Sequence, residues 1–170
     1  MTKPTHNSPI DALGAAYEKM YERAAENLHS TEKKSAQLLH KLIDEAKDKA
    51  VALKELSEDD AAKLADWLKR DLDDTVNYLS ETGLELKDWL GFETTLLESA
   101  VLDLLLKSAD KTTVELLTMK DYARQPHAYH TGEITGPGTL VCDQCGEKLH
   151  FHRAGKIPPC PKCHATTFHR

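Results

Sequence analysis

Proline is absent from Ile10 through Gln125 and glycine from Ala15 through Thr82, so 68 consecutive residues between Gly14 and Gly83 contain neither of the two residues that most often break regular backbone. Aromatic residues are scarce at 6%, too few for the packed faces of a β-sandwich, while 40% hydrophobic and 29% charged residues exclude a disordered or collagen-like chain. An excess of positive charge is also missing. The formal net charge of −6 argues against coating nucleic acid by bulk electrostatics. No apolar run has the length of a membrane span, and Leu104 to Leu106 is bounded by Asp103 and Lys107. The start, Met1 to Asn7, has no apolar stretch behind it and does not read as a secretory signal. The expectation is a soluble, cytoplasmic protein, in which four cysteines hold metal rather than disulfides.

From Pro126 onward the scarcity reverses. The last 45 residues hold five of the seven prolines, five of the eight glycines, six of the nine histidines and all four cysteines. This division predicts two domains: an α-helical, coiled-coil-like body over 1–125 and a four-cysteine zinc ribbon over 126–170. The fold class is mainly α, a helical hairpin or bundle with a small C-terminal β zinc ribbon.

Within the body, Ser8-Pro9-Ile10-Asp11 is a helix start, with a capping serine, proline at the first helical position and an acid three residues after the cap. Ile10, Leu13, Tyr17, Met20, Tyr21, Ala24 and Leu28 recur at spacings of three and four as an apolar stripe. A second stripe runs through Leu38, Leu39, Leu42, Ile43, Ala46, Ala50 and Leu53, and nothing between Asn27 and Lys33 forces a break from the first. Ser57-Glu58-Asp59-Asp60 is another capped start, followed by Ala61, Leu64, Ala65, Leu68, Leu72, Val76 and Leu79. Residues 55–60 are therefore the expected turn of an antiparallel hairpin whose arms have roughly 22 residues and span about 33 Å. Gly83 ends the third helix. Further helical pattern covers 84–106 and 110–123, with Trp89, Phe92, Leu96, Leu97, Val101, Leu104 and Leu105 as its apolar set. The pairs Glu45 with Lys49 and Asp66 with Arg70 read as solvated helix faces.

Cys142-Asp143-Gln144-Cys145, fourteen residues, then Cys160-Pro161-Lys162-Cys163 is the strongest motif in the chain. Two intervening residues let a tight turn aim both thiolates at one ion, and two such knuckles complete a tetrahedron. Gly146 follows the first knuckle, where positive φ is common. His164 holds the matching place in the second, where histidine tolerates that conformation less well than glycine but better than most residues. Short strands are expected at 139–141, 148–152 and 166–168. A unit of some 40 residues buries too little apolar area to fold alone, so the metal supplies the missing stability. Cys142, Cys145, Cys160 and Cys163 close the coordination shell, which assigns one structural Zn²⁺. Iron in a rubredoxin-like site, a disulfide pair and a redox dithiol are the alternatives. The six tail histidines match no ligand spacing and read as solvent-facing or capping residues.

Tyr129-His130, Gly132-Glu133, Gly136-Pro137-Gly138 and Leu140-Val141-Cys142, together with the second knuckle, resemble a proteobacterial family of zinc-ribbon-containing proteins typified by YbeL. The resemblance is specific over about Tyr129 to Phe168 and implies a charged helical N-terminal region followed by one zinc ribbon with the four cysteines as ligands. It implies no activity, because the family is uncharacterised.

Catalysis has little to stand on. The chain has no Gly-rich phosphate loop, no His-Glu-x-x-His motif and no cysteine beyond the four to act as a nucleophile. The leading expectation is a non-enzymatic adaptor or regulator that binds a macromolecular partner, with RNA polymerase or the ribosome as candidates. Plain nucleic-acid binding is weakly supported. From His127 on, five Lys/Arg face three acids, and the −2 of a zinc tetrathiolate cancels that excess. Two alternatives remain open: a secondary-channel-type regulator of RNA polymerase with Glu58, Asp59 and Asp60 as an acidic tip, or a self-associating structural protein, a dimer if Trp89, Phe92 and Leu96 stay exposed.

Overall fold

The computed structural model describes residues 9–30, 36–82, 88, 90, 91 and 127–170. Three helices come first, α1 (Pro9–His29), α2 (Ala36–Ala52) and α3 (Glu58–Thr82). Six short strands follow, β1 (Tyr129–His130), β2 (Ile134–Thr135), β3 (Gly138–Cys142), β4 (Lys148–Phe151), β5 (Gly155–Lys156) and β6 (Thr167–His169). The helical body and C-terminal β ribbon agree with the fold class expected from the sequence. The Ser8 cap, Gly83 and the helical pattern of 84–106 and 110–123, apart from 88, 90 and 91, lie outside the described residues.

The apolar stripes become the core. Tyr17, Met20, Tyr21, Ala24 and Leu28 of α1 bury against Leu39, Leu42 and Ile43 of α2 and Leu64, Leu68 and Leu72 of α3. The five-residue turn between α2 and α3 makes them an antiparallel pair. Their polar edges keep the same register: His40 meets Asp73 at 2.8 Å and Lys69 meets Asp44 at 2.7 Å. The arms are unequal, 17 and 25 residues, about 26 and 38 Å at the helical rise. Leu53, assigned to the second stripe, lies beyond the end of α2 and is 55% exposed at the tip. Ser57 caps α3, accepting from the Asp60 backbone N–H at 3.2 Å. From α1, Lys19 and Arg23 both reach Glu55 in the middle of this turn, at 2.6 and 2.8 Å. Hydrogen bonds from Arg23 first, then Lys19, hold the Glu55 carboxyl down at about 2.

In the ribbon, four strands form an antiparallel sheet in the order β1-β6-β3-β4, and β2 pairs with β5 as a separate two-stranded ladder. Tyr129, Leu140, Ile157 and Phe168 are 1% exposed or less beneath the sheet. The smaller ladder faces the helices. Ile134 and Ala154 belong to the helical core rather than to that of the ribbon. Gly14 of α1 lies so close to the turn after β4 that a Cβ there would stand 2.9 Å from the Ala154 carbonyl oxygen. Leu90 is fully buried, and its carbonyl accepts from the Thr139 hydroxyl on β3.

Candidate metal centre

The first knuckle begins at the end of β3 and the second just precedes β6, neighbouring strands that register Cys142 opposite Phe168. Each knuckle is closed by the same two backbone hydrogen bonds. The Cys142 N–H donates to Glu147 O at 2.8 Å and the Gly146 N–H to Cys142 O at 3.0 Å; in the second knuckle, Cys160 N–H donates to Ala165 O and His164 N–H to Cys160 O, both at 2.9 Å. The residue after each second cysteine takes positive φ, 71° at Gly146 and 61° at His164. The sequence expectation for both positions holds, and the equivalence explains it: the fold makes one turn twice and uses histidine where it has no glycine.

These turns bring the four Sγ atoms of Cys142, Cys145, Cys160 and Cys163 within 4.8 Å of one another. Cys142 and Cys163 approach to 3.5 Å, as do Cys145 and Cys160. A tetrahedral zinc with Zn–S of about 2.3 Å sets its sulfurs about 3.8 Å apart, so the set fits the ion in donor type, number and span. Without a cation the thiols do not ionise alike. Burial opposes ionisation of Cys160, yet the N–H groups of Cys163 and Lys162 and the neighbouring sulfurs bring it down to about 7. Although the Glu147 backbone favours its thiolate, burial and the sulfurs of Cys163, Cys160 and Cys142 push Cys145 up to about 12. Four thiolates together need a dication among them. With all four positions filled by sulfur, no coordination site is left for water or substrate, which is the arrangement of a structural zinc.

No histidine joins this set among the described residues. His127 meets Asp74 at 2.5 Å, His130 meets Glu133 at 3.3 Å, His150 bonds the Thr139 hydroxyl at 2.8 Å and His169 meets Asp143 at 2.5 Å. Most of the histidines thus tie tail segments together or to α3.

A polar seam that the sequence reading missed joins the ribbon to the helices. Asp71 of α3 is 5% exposed and accepts from Tyr17 at 2.5 Å, the Gly136 N–H at 2.8 Å and the Thr135 hydroxyl at 3.3 Å. Beside it, Arg70 bonds Glu133 and lies 3.9 Å above the Tyr129 ring. Arg70 therefore faces inward, not onto the solvated surface expected from its pairing with Asp66. The Tyr129 hydroxyl donates to Asp74, and Arg170 reaches Tyr129 at 3.2 Å, Thr135 at 2.8 Å and the Gly136 carbonyl at 3.2 Å. Gly138, at φ 147°, leaves the space that this guanidinium fills. Burial first, then the Asp71 charge, pushes both Tyr17 and Tyr129 well above the usual phenol range.

Residues 26–170 match the family model described as a zinc-ribbon containing domain. The chain belongs to that family. Among its relatives, the uncharacterised protein YbeL of Escherichia coli K12 is 26% identical over 129 residues, 76% of this chain and 79% of YbeL. The YbeL proteins of E. coli O6:H1 and O157:H7 align equally well. No solved structure matches the chain. The family's ribbon accounts for the cysteines, while Gly14 and Tyr17, which meet the ribbon from α1, precede the matched region. Among the described residues no helix is long and apolar enough to cross a membrane.

Proposed function

We propose that the protein is a non-enzymatic, cytoplasmic adaptor or regulator in which a zinc-stiffened ribbon and a helical hairpin are held in fixed relation to engage a macromolecular partner. The observation that carries this reading is the four-sulfur shell, which holds a metal without presenting it. The buried seam supports it. Asp71, Tyr17, Tyr129 and the two arginines spend their polarity on one another and on docking, a use that fits rigid presentation better than proton transfer.

A second reading, a secondary-channel-type regulator of RNA polymerase, is favoured by the α2–α3 turn. Glu58 and Asp59 are exposed there, with Asp60 half-buried next to them. A helix dipole favours acids at such a position in any protein, so the reading depends on a functional test. Replacing Glu58, Asp59 and Asp60 together by alanine is expected to abolish an effect on transcription and leave the hairpin folded; an effect that survives the change contradicts the acidic-tip reading.

Affinity capture of the tagged protein from its own lysate at low and high salt, with a nuclease-treated control, tests the adaptor reading. Polymerase or ribosomal subunits that persist after nuclease support it. Recovery of the chain alone contradicts it and favours self-association, for which Trp89, Phe92 and Leu96 lie outside the described residues.

A further inference from the structure

Thiol chemistry is confined to one end of this chain. All four cysteines lie in the ribbon and none in the helical body, so a thiol-directed oxidant acts on one of the two cores and spares the other. Within the ribbon the sulfurs differ in access. Cys142 and Cys160 are buried, whereas Cys145 and Cys163 are half-buried. Each close pair joins one of either kind: buried Cys142 lies 3.5 Å from half-buried Cys163, and buried Cys160 lies 3.5 Å from half-buried Cys145. Both pairs cross from one knuckle to the other. Their separation exceeds an S–S bond by about 1.5 Å, which side-chain rotation can close.

A zinc shell makes all four sulfurs thiolates, so exposure decides which of them an oxidant meets first. In each pair the accessible sulfur is the one attacked, and the buried sulfur stands at contact distance as its resolving partner. No fifth cysteine competes for that role.

We propose that the metal centre is also a peroxide-sensitive switch: Cys145 and Cys163 take the first oxidation, Cys160 and Cys142 complete two cross-knuckle disulfides, and the ribbon gives up its zinc and loosens from the helices. The Cys145 thiolate attacks hydrogen peroxide; an S–O bond forms, the O–O bond breaks and hydroxide leaves. The Cys160 thiolate then attacks that sulfur, forming the S–S bond and expelling a second hydroxide. Each pair of thiolates loses two electrons, and one peroxide with two protons becomes two waters. Cys163 and Cys142 repeat the reaction with a second peroxide. After the first disulfide only two thiolates remain, too few for a four-sulfur shell.

The effect on the fold follows from what the ribbon core contains. Cys142 and Cys160 belong to it, and a disulfide contributes less to folding than a structural zinc. A loosened ribbon withdraws the Gly136 N–H and the Thr135 hydroxyl from Asp71 and the Ala154 N–H from Glu18. The Tyr17–Asp71 hydrogen bond and the apolar contacts among α1, α2 and α3 stay within the body. Oxidation therefore uncovers a face of α1 and α3 that the reduced protein hides. This switch goes beyond the adaptor reading and does not rest on it.

Hydrogen peroxide titration of the purified, zinc-loaded full chain tests it, with released zinc read by a chromophoric chelator and disulfides mapped by non-reducing peptide mass spectrometry. The expected result is one zinc released per chain, with Cys142 joined to Cys163 and Cys145 to Cys160. Brief exposure in the presence of a sulfenic-acid trap should label Cys145 and Cys163. Amide hydrogen exchange should quicken at least about tenfold over 127–170 while most amides of α1, α2 and α3 keep their protection. A thiol reductant supplied with zinc should restore both metal and protection. Zinc retained in excess peroxide overturns the proposal, as do disulfides formed within a knuckle, first labelling at Cys142 or Cys160, or a ribbon that stays protected after losing its metal. The wild-type chain serves throughout, since replacing a cysteine loosens the ribbon before any oxidant is added. No partner takes part in these measurements, so the switch and the adaptor reading fail separately.

Discussion

In the helical body, Met20, Leu28, Ile43, Leu64 and Leu68 are each 1% exposed or less, on helices of about five to seven turns. In the ribbon only seven residues form the core, and two of them, Cys142 and Cys160, are sulfur ligands. The body draws its stability from apolar area that grows with helix length. The ribbon has strands of two to five residues and must replace that area with coordination bonds. Between them the seam uses charged and phenolic groups, which are costly to bury unless every partner is in place. The molecule therefore has two cores of different chemistry and a joint that depends on both.

Removing the metal should break this comparison most severely. A structural zinc of this type contributes about 10 to 16 kcal/mol of apparent binding energy at neutral pH. Chelation, Cys142→Ser or Cys160→Ser is expected to unfold the ribbon while most helical circular dichroism persists. Retention of one zinc per chain in either variant would contradict the four-cysteine shell.

Asp71→Ala should come next, at about 3 to 5 kcal/mol, because it leaves Arg70 and Arg170 without their shared anion and strands the Tyr17 hydroxyl. Since Asp71 bonds both α1 and the ribbon, denaturant unfolding followed by helical circular dichroism and by release of zinc to a chromophoric chelator should shift together. A shift in one probe alone would separate the two units.

Alkaline titration sharpens the same point. Tyr17 and Tyr129 have folded-state pKa values raised above 10, so folding favours their neutral form. Stability is then intact below pH 10 and declines as pH rises from 10 through the folded values, where the unfolded chain ionises first. Tyrosinate absorbance should reveal at least two of the five tyrosines, Tyr17 and Tyr129, resisting ionisation until the fold opens; smooth titration of all five near 10 would contradict the buried seam. The smallest effect is expected at the hairpin tip, where Ser57→Ala should cost about 1 kcal/mol in thermal or chemical denaturation and leave zinc content unchanged.

The metal centre was legible because its information is local. Two residues between cysteines fix each turn, and the spacing alone proposes the pairing of knuckles. The α-helical stripes were legible for a similar reason, as periodicity reports burial over many turns. The seam was not, because Tyr17, Asp71, Tyr129 and Arg170 come from four distant points of the chain and match no periodic pattern. One trace of it existed: Asp71 falls three residues after Leu68 and seven after Leu64, an acid set on an apolar face. β1, β2 and β5, two residues each, are too short for alternation to register.

The central claim is that four cysteines hold one zinc without a vacancy. Zinc K-edge X-ray absorption on the purified full chain, with metal content measured on the same sample, tests it most directly. The account predicts one zinc per chain surrounded by four sulfurs at about 2.3 Å. A shell containing nitrogen or oxygen, or fewer than four sulfurs, would contradict it.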